Sequence, residues 1–240
     1  IKEADKKKFA KKVMSENKGI KTILEKTGKF KGRLRKMQTR YIMGEKTKEA
    51  LYKENNCVFR FNVDETYFSP RLSNERKEIA EKIKTGEIVL VMFAGVAPFP
   101  IVIAKNSKAR KIYSNEINRE ANKYAKMNIA LNNMKNRIEL VPGDIKKAVS
   151  KIKEKMDVIV MPRPQLKDSF LKEAFSLSKT GKRGTRIYYY DFCKEDEKNL
   201  IVKKIRKEAE KYKKKIKIQK IKTAGEIGAY RARVRVDFVV

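Results

Sequence analysis

From residue 87 onward, short apolar runs alternate with charged stretches of helical period, and that alternation admits few folds. The runs are Ile88-Val-Leu-Val-Met92, Lys111-Ile-Tyr-Ser-Asn-Glu116, Arg137-Ile-Glu-Leu-Val141, Asp157-Val-Ile-Val-Met161 and Arg186-Ile-Tyr-Tyr-Tyr190. Helical patterns fill 118–132, 145–155, 166–178 and 195–213, and two closing strands are expected at 216–222 and 230–239. Parallel neighbours can be joined only by a crossover, so strand-helix repetition predicts an α/β fold: a parallel sheet covered on both faces, with room for a final antiparallel strand. The last strand sets Ala232, Val234, Val236 and Phe238 against Arg231, Arg233, Arg235 and Asp237, which predicts one buried and one solvated face.

The first 66 residues read differently. A helix at 6–17, a short strand at 20–24, a basic stretch holding Gly28 and Gly32, and a hairpin of 50–53 with 57–63 around a Glu54-Asn55-Asn56 turn predict a small α+β domain. The expected organisation is therefore 1–66 as that small domain and 67–240 as the α/β domain.

Charge narrows the partner. Lys and Arg total 61 against 29 Asp and Glu, a formal net charge of +32 in 240 residues. Self-repulsion of that size is best relieved by a polyanion, and Lys exceeds Glu too far for a thermal adaptation in which both rise. Basic residues are dense at 6–12, 29–40 and 203–220, a spread that suits a broad phosphate-facing surface. No apolar run approaches the length of a membrane span. With no histidine and only Cys57 and Cys193, zinc, other metal sites, histidine catalysis and a disulfide scaffold are disfavoured, and reduced thiols fit a cytoplasmic monomer. The chain starts at Ile1 without a methionine and reads as a piece trimmed from something longer.

Chemistry is expected where the strands end. In Val91-Met-Phe-Ala-Gly-Val-Ala-Pro-Phe99 the small Ala94 and Gly95 let a ligand approach the backbone, and a helix N-terminus follows with N–H groups to offer. Glu116 ends the second strand, where an acid can accept both hydroxyls of a ribose, and Asp144 after Gly143 closes the third, in reach of an adenine amino group. Singly each is weak, since a strand-end acid is often only a helix cap. Together on successive strands they predict a nucleoside crevice.

Three strings add a resemblance: Tyr67-Phe-Ser-Pro-Arg-Leu-Ser-Asn-Glu-Arg76, Met92-Phe-Ala-Gly-Val-Ala-Pro-Phe99 and Tyr188-Tyr-Tyr-Asp-Phe192. Weaker matches are Lys53-Glu-Asn-Asn-Cys-Val-Phe59, Met161-Pro-Arg-Pro164 and the tail from Ala224. In order and over nearly the whole chain they resemble the archaeal and eukaryotic type of tRNA (guanine-37 N1)-methyltransferase. The resemblance implies a class I S-adenosylmethionine-dependent methyltransferase fold of Rossmann-like form behind a small RNA-facing domain, with tRNA as partner and no metal. Many members carry a further N-terminal domain that contacts the tRNA elbow, and this chain lacks it.

The resemblance also distributes roles. It puts Tyr67 and Arg71 beside the cofactor with Phe93, Ala94, Gly95, Glu116, Ile117, Asp144 and Ile145, makes Glu75 the acceptor of the guanine N1 proton, and matches Arg35 to a catalytic arginine of the small domain. Lys29, Lys31, Arg33, Lys36 and Arg40 are the expected RNA contacts. N1 is protonated at neutral pH, so methyl transfer needs proton removal, and a cation such as Arg35 would stabilise the charge that develops on O6. On composition alone Glu75 reads as an exposed helix acid facing Arg71 at i, i+4.

Departures from the family pattern are Val91 in place of an acid, Ala97 in place of glycine, Pro100 in place of serine, and Pro162-Arg163-Pro164 where an Asn-x-Pro string is usual, which leaves the proline carbonyls of Pro162 and Pro164 at the catalytic position. The competing readings are aminocarboxypropyl transfer by a wybutosine-pathway relative, which lacks an arginine at the place of Arg71, and an RNA-binding protein without turnover.

Overall fold

The computed structural model describes residues 2–28, 32–179, 181 and 184–240. In chain order the elements are α1 (Glu3–Glu16), β1 (Thr22–Lys26), β2 (Thr39–Gly44), β3 (Glu49–Glu54), β4 (Cys57–Asn62), α2 (Ser73–Glu81), β5 (Ile88–Val91), α3 (Pro98–Asn106), β6 (Lys111–Glu116), α4 (Arg119–Leu131), β7 (Ile138–Pro142), α5 (Ile145–Ala148), β8 (Val158–Met161), α6 (Leu171–Leu177), β9 (Arg186–Lys194), α7 (Lys198–Lys211), β10 (Lys217–Gly228) and β11 (Arg231–Val239).

Seven strands form one sheet in the order β10-β11-β9-β8-β5-β6-β7. β9, β8, β5, β6 and β7 are mutually parallel, whereas β11 runs antiparallel to β9 and to β10. The expected Rossmann-like α/β fold is what the chain adopts. Helices cover both faces, and one apolar cluster lies on each side of the sheet: Val89, Val91, Ile112 and Val158 point into one, Leu90, Met92, Ile159 and Met161 into the other. Strands buried on both faces have no polar side to show, hence the near-continuous apolar runs.

The order reverses at β5, whose neighbours are β6 on one side and β8 on the other. The loops leaving those strands diverge there and open a crevice at their carboxyl ends.

Two expectations about helices change. The segment expected to be helical at 166–178 is helical only over Leu171–Leu177. The carbonyls of Leu166 and Asp168 accept from the Arg163 guanidinium, and Phe170 takes φ +57, so the chain cannot enter a helix earlier. Likewise 145–155 gives α5 and then a single 3-10 turn, Val149–Lys151, because Glu154 is drawn away to Tyr113, Lys111 and Arg110.

The last strand is the larger correction. Its charged face is not solvated: Arg233 is 9% exposed, Arg235 0% and Asp237 3%. Helix α2 lies across it, and Glu75 and Glu78 supply the counter-charge.

Of the leading 66 residues, β1 and β2 pair antiparallel with α1 against them, and β2 was not anticipated among the basic residues. The β3–β4 hairpin turns at Asn55 and Asn56, both at positive φ as a two-residue loop of this kind needs. Phe59 and Phe61 enter the same apolar cluster as the sheet. The outer edge of β4 is closed by α4 rather than by a strand: Asn128 accepts from Arg60 N at 2.8 Å and donates to Arg60 O at 3.0 Å, and Asn132 does the same for Val58 at 2.9 and 2.7 Å. An otherwise open strand edge is thereby satisfied.

Candidate active site

The loop after β5 folds over the strand ends by using left-handed backbone at alternate positions, Phe93, Gly95 and Ala97 at φ +58, +58 and +67. At Gly95 an added Cβ would come within 3.3 Å of the Tyr67 carbonyl, so close approach and φ together demand glycine. Ala97 takes the same conformation while fully buried, consistent with a position where glycine is the easier residue.

Gly95 N donates to Glu116 Oε2 at 2.8 Å, and Asn118 N donates to Glu116 Oε1 at 2.8 Å. Burial pushes the Glu116 carboxyl above its usual range, partly opposed by those backbone donors. With Ile117 N as a third backbone donor, the carboxylate keeps lone-pair capacity for a ligand hydroxyl. Asp144 caps α5 through Lys146 N at 3.1 Å, while its other oxygen accepts from Arg33 Nη2 at 2.8 Å. Burial would raise this carboxyl, but the hydrogen bonds from Arg33 and Lys146 win and hold it below its ordinary value.

The helix N-terminus offers less than expected. Pro98 and Pro100 have no N–H and Ile101 N is used by Ala97 O at 3.0 Å. The start of α3 therefore lacks the row of donors a phosphate requires, and suits an adenosyl ligand without phosphates.

Phe93, Ala94, Gly95, Glu116, Ile117, Asp144 and Ile145 come together around a cleft of about 960 Å³, joined by Tyr67, Arg35, Arg33, Pro162 and Pro164. These residues fit S-adenosylmethionine: acceptors for the ribose hydroxyls and adenine amino group, and Phe93, Ile117 and Ile145 as apolar surface for a purine. A second groove of about 1520 Å³ abuts the cleft and shares Arg35, Tyr67, Pro164, Leu166 and Arg233 with it. Arg71, expected beside the cofactor, lines this groove rather than the cleft. The Arg35 guanidinium lies 3.8 Å from the centre of the Tyr67 ring. Burial works against ionisation of the Tyr67 hydroxyl, but Arg35 and Arg233 outweigh it and bring its pKa below the usual phenol value.

Glu75 is elsewhere. It lines neither cavity, is 5% exposed, and its carboxylate accepts from Lys222 Nζ at 2.7 Å, Arg235 Nη1 at 2.6 Å and the Tyr190 hydroxyl at 3.0 Å. The expected exposed pairing with Arg71 gives way to a buried ionic cluster, with Glu78 and Asp237 completing it around Arg235.

At the end of β8 the chain makes a tight turn around Pro162, Arg163 N donating to Met161 O at 2.7 Å. Arg163 points backward, 1% exposed, to Asp191 and to the carbonyls of Leu166 and Asp168. It shapes the cleft wall, and its Nε has no hydrogen-bond partner among the described residues. Arg163 carried only the signal of an arginine between prolines, and Arg233 only that of strand alternation.

Of the expected RNA contacts, Lys29 and Lys31 lie outside the described residues. Arg33 bonds Asp144, Lys36 pairs with Glu65 at 2.5 Å, and Arg40 pairs with Glu25 at 2.5 Å and Glu3 at 3.0 Å. These pairs are largely exposed and weak enough for a phosphate to displace. They are distributed over the small unit, and only Arg33 reaches the cleft.

A seven-stranded sheet with one antiparallel strand inserted, and a nucleoside crevice built from Gly95, Glu116 and Asp144 at its switch point, define a class I methyltransferase. Residues 50–221 match the TRM5/TYW2 methyltransferase domain, and the chain belongs to that family, whose cofactor is S-adenosylmethionine. It is 32% identical to the tRNA (guanine(37)-N(1))/4-demethylwyosine(37)-methyltransferase Taw22 of Nanoarchaeum equitans, over 96% of this chain and 92% of that one. The crystal structure of Trm5b from Pyrococcus abyssi superposes with a TM-score of 0.84 at 29% identity, covering 98% of this chain and 68% of that one. A complex of aTrm5 with tRNALeu gives 0.83 at 25% identity, covering all of this chain and 67% of that one. The enzymatic class and cofactor expected from the strings are thus borne out.

Proposed function

We propose that this chain transfers the methyl group of S-adenosylmethionine to N1 of guanosine at position 37 of tRNA. One observation carries the reading: the nucleoside cleft opens through a wall of Arg35, Tyr67, Pro164 and Arg233 into a second, cationic groove, so a cofactor and a base can meet across that wall. The names of its relatives, which act at position 37 of tRNA, support that position for the base.

When bound, the cofactor supplies an electrophilic methyl carbon on a sulfonium. The protein's own part is positional and electrostatic. Glu116 and Asp144 hold the nucleoside end, and the prolines at 162 and 164 keep the wall rigid. Arg35, stacked on Tyr67, faces the carbonyl edge of the base and stabilises negative charge there. Exclusion of water from a narrow passage strengthens that effect. Residues 1–66 are proposed as the RNA-facing unit and 67–240 as the catalytic one, with the β3–β4 hairpin tying the two through Phe59 and Phe61. Such an enzyme works where tRNA matures, the cytoplasm.

A second reading has a specific support. The base-side groove is large, and the Nanoarchaeum relative's name includes a tricyclic 4-demethylwyosine substrate, so methylation of a tricyclic base at the same position is compatible with the geometry. Mass analysis of nucleosides from tRNA incubated with enzyme and cofactor decides: one added methyl on guanosine 37 supports the first reading, methylation confined to a tricyclic base the second, and an added aminocarboxypropyl group or no change refutes both.

A further inference from the structure

Among the described residues four arginines are buried: Arg76, Arg163, Arg233 and Arg235. Three have carboxylate partners, Glu54 for Arg76, Asp191 for Arg163, and Glu75, Glu78 and Asp237 for Arg235. Arg233, 9% exposed, has none among the described residues. It pairs in register with Phe192, its guanidinium stands 5.1 Å from that ring's centre, and it hydrogen-bonds the Tyr67 hydroxyl. A buried cation without counter-charge is costly, and sites that keep one do so for a ligand.

Its position says which ligand. Arg233 lines both cavities, in the passage where they meet, and is close enough to Arg35 to be felt electrostatically there. The methylated atom must sit in that passage, and the group beside a guanine N1 is its carbonyl oxygen. We propose that Arg233 is a further substrate-contacting residue, donating to O6 of the target base and, with Arg35, forming a two-cation clamp on the oxygen that becomes negative when N1 loses its proton. The inference rests on the guanine-37 reading.

The N1 proton leaves through the open groove to solvent, the resulting negative charge resides largely on O6 between Arg233 and Arg35, the N1 to carbon bond forms, and the carbon to sulfur bond breaks with its electron pair staying on sulfur. Two cations at O6 lower the pKa of N1, so the anion is populated nearer neutral pH. The ionisable groups around Arg233 are Tyr67 and Arg35 at the wall, Arg33, Arg76, Glu116, Asp144 and Arg163 in the cleft, and Lys26, Arg71 and Glu226 around the groove. Through the neutral range the rate would follow the ionisation of the base.

The experiment uses the full chain, tRNA transcript with guanosine 37 and S-adenosylmethionine, read by single-turnover methylation across pH. The wild-type chain must first give methylguanosine; absence of product defeats the guanine-37 reading itself. Given product, Arg233→Gln is expected to slow the chemical step about 100-fold, to move the rising limb of the rate profile to higher pH, and to leave cofactor affinity within about 2-fold, the change a retained cofactor site allows. Arg233→Lys, which keeps the charge and guards against a folding defect, should recover part of the rate and return the limb toward its original place. A normal rate and limb in Arg233→Gln overturns the proposal, and so does a loss confined to cofactor affinity, which would assign Arg233 to the cofactor's carboxylate.

Discussion

Arg235 Nη1 donates to Glu75 Oε2 at 2.6 Å, tying the last strand to helix α2 from 160 positions away in sequence. The guanidinium is fully buried, and its other nitrogens reach Glu78 Oε1 and Asp237 Oδ1, each at 2.6 Å. The cluster holds α2 against the edge of the sheet, and α2 in turn positions the Tyr67–Pro70 loop that walls the cleft.

Glu75→Gln is therefore expected to act on stability. The amide keeps the shape and an acceptor but weakens the charge-assisted bonds from Arg235 and Lys222, a loss of about 1–3 kcal/mol with Glu78 and Asp237 still present. Denaturant titration should show the lower midpoint, while single-turnover methylation by the folded protein should stay within about 3-fold of wild type, because the residue lines no cavity. A large rate loss at unchanged stability would restore Glu75 as the proton acceptor.

What the sequence revealed here follows the range of the interactions. β6 was legible to the residue, and Gly95, Glu116 and Asp144 were legible as a trio because strand period and chain punctuation place them locally. The role of Glu75 was not, since its partners Lys222 and Arg235 are distant in sequence and leave no periodic mark. Arg233 and Arg235 looked like solvated positions of an alternating strand; only α2 and the Tyr67 loop lying over that face change their meaning. Strand β2 was hidden because it follows directly on the basic stretch and buries only Ile42.

The same cluster predicts an acid transition. Burial pushes Glu78 up, but the hydrogen bonds from Arg235 and Lys222 outweigh it and hold the carboxyl down to about 2, against 4.5 for an unperturbed group. A carboxyl depressed in the folded state contributes stability that is complete above the unfolded pKa and is lost as pH falls toward the folded one. Stability should thus drop between about pH 4.5 and 2, where the two values lie, and Glu78→Gln should flatten that part of the curve, as chemical denaturation at stepped pH would show. An unchanged slope in the variant would place the acid sensitivity elsewhere.

Cofactor affinity should depend on Glu116 and on pH. Glu116→Gln keeps the shape but loses the ionised acceptor, a cost of about 1.5–3 kcal/mol in binding. Because burial raises this carboxyl, protonation sets in above the ordinary glutamate range, and affinity should decline as pH falls through that raised value. Calorimetry at several pH values measures both, and an affinity insensitive to the substitution would remove Glu116 from the ribose site.

Arg33 and Asp144 connect the two ligands. The pair, at 2.8 Å, joins the basic stretch of the leading unit to the acid expected to meet the adenine amino group. Asp144 accepts from Lys146 N with one oxygen and from Arg33 with the other, and Arg33 lines the cleft, so its guanidinium stands where a bound adenosyl group would approach. The side chains are 45% and 23% exposed, which keeps the pair's worth to about 0–1 kcal/mol. Cofactor binding would release Arg33 to a phosphate, and by linkage tRNA binding would free Asp144 for the cofactor, giving mutual enhancement of a few-fold at most. In Arg33→Ala that coupling should vanish: cofactor affinity without tRNA rises slightly, tRNA affinity falls, and the slope of log affinity against log salt decreases by about one. Titrating each ligand with and without the other gives the coupling directly, and an identical coupling in wild type and Arg33→Ala would show that the pair is a bystander.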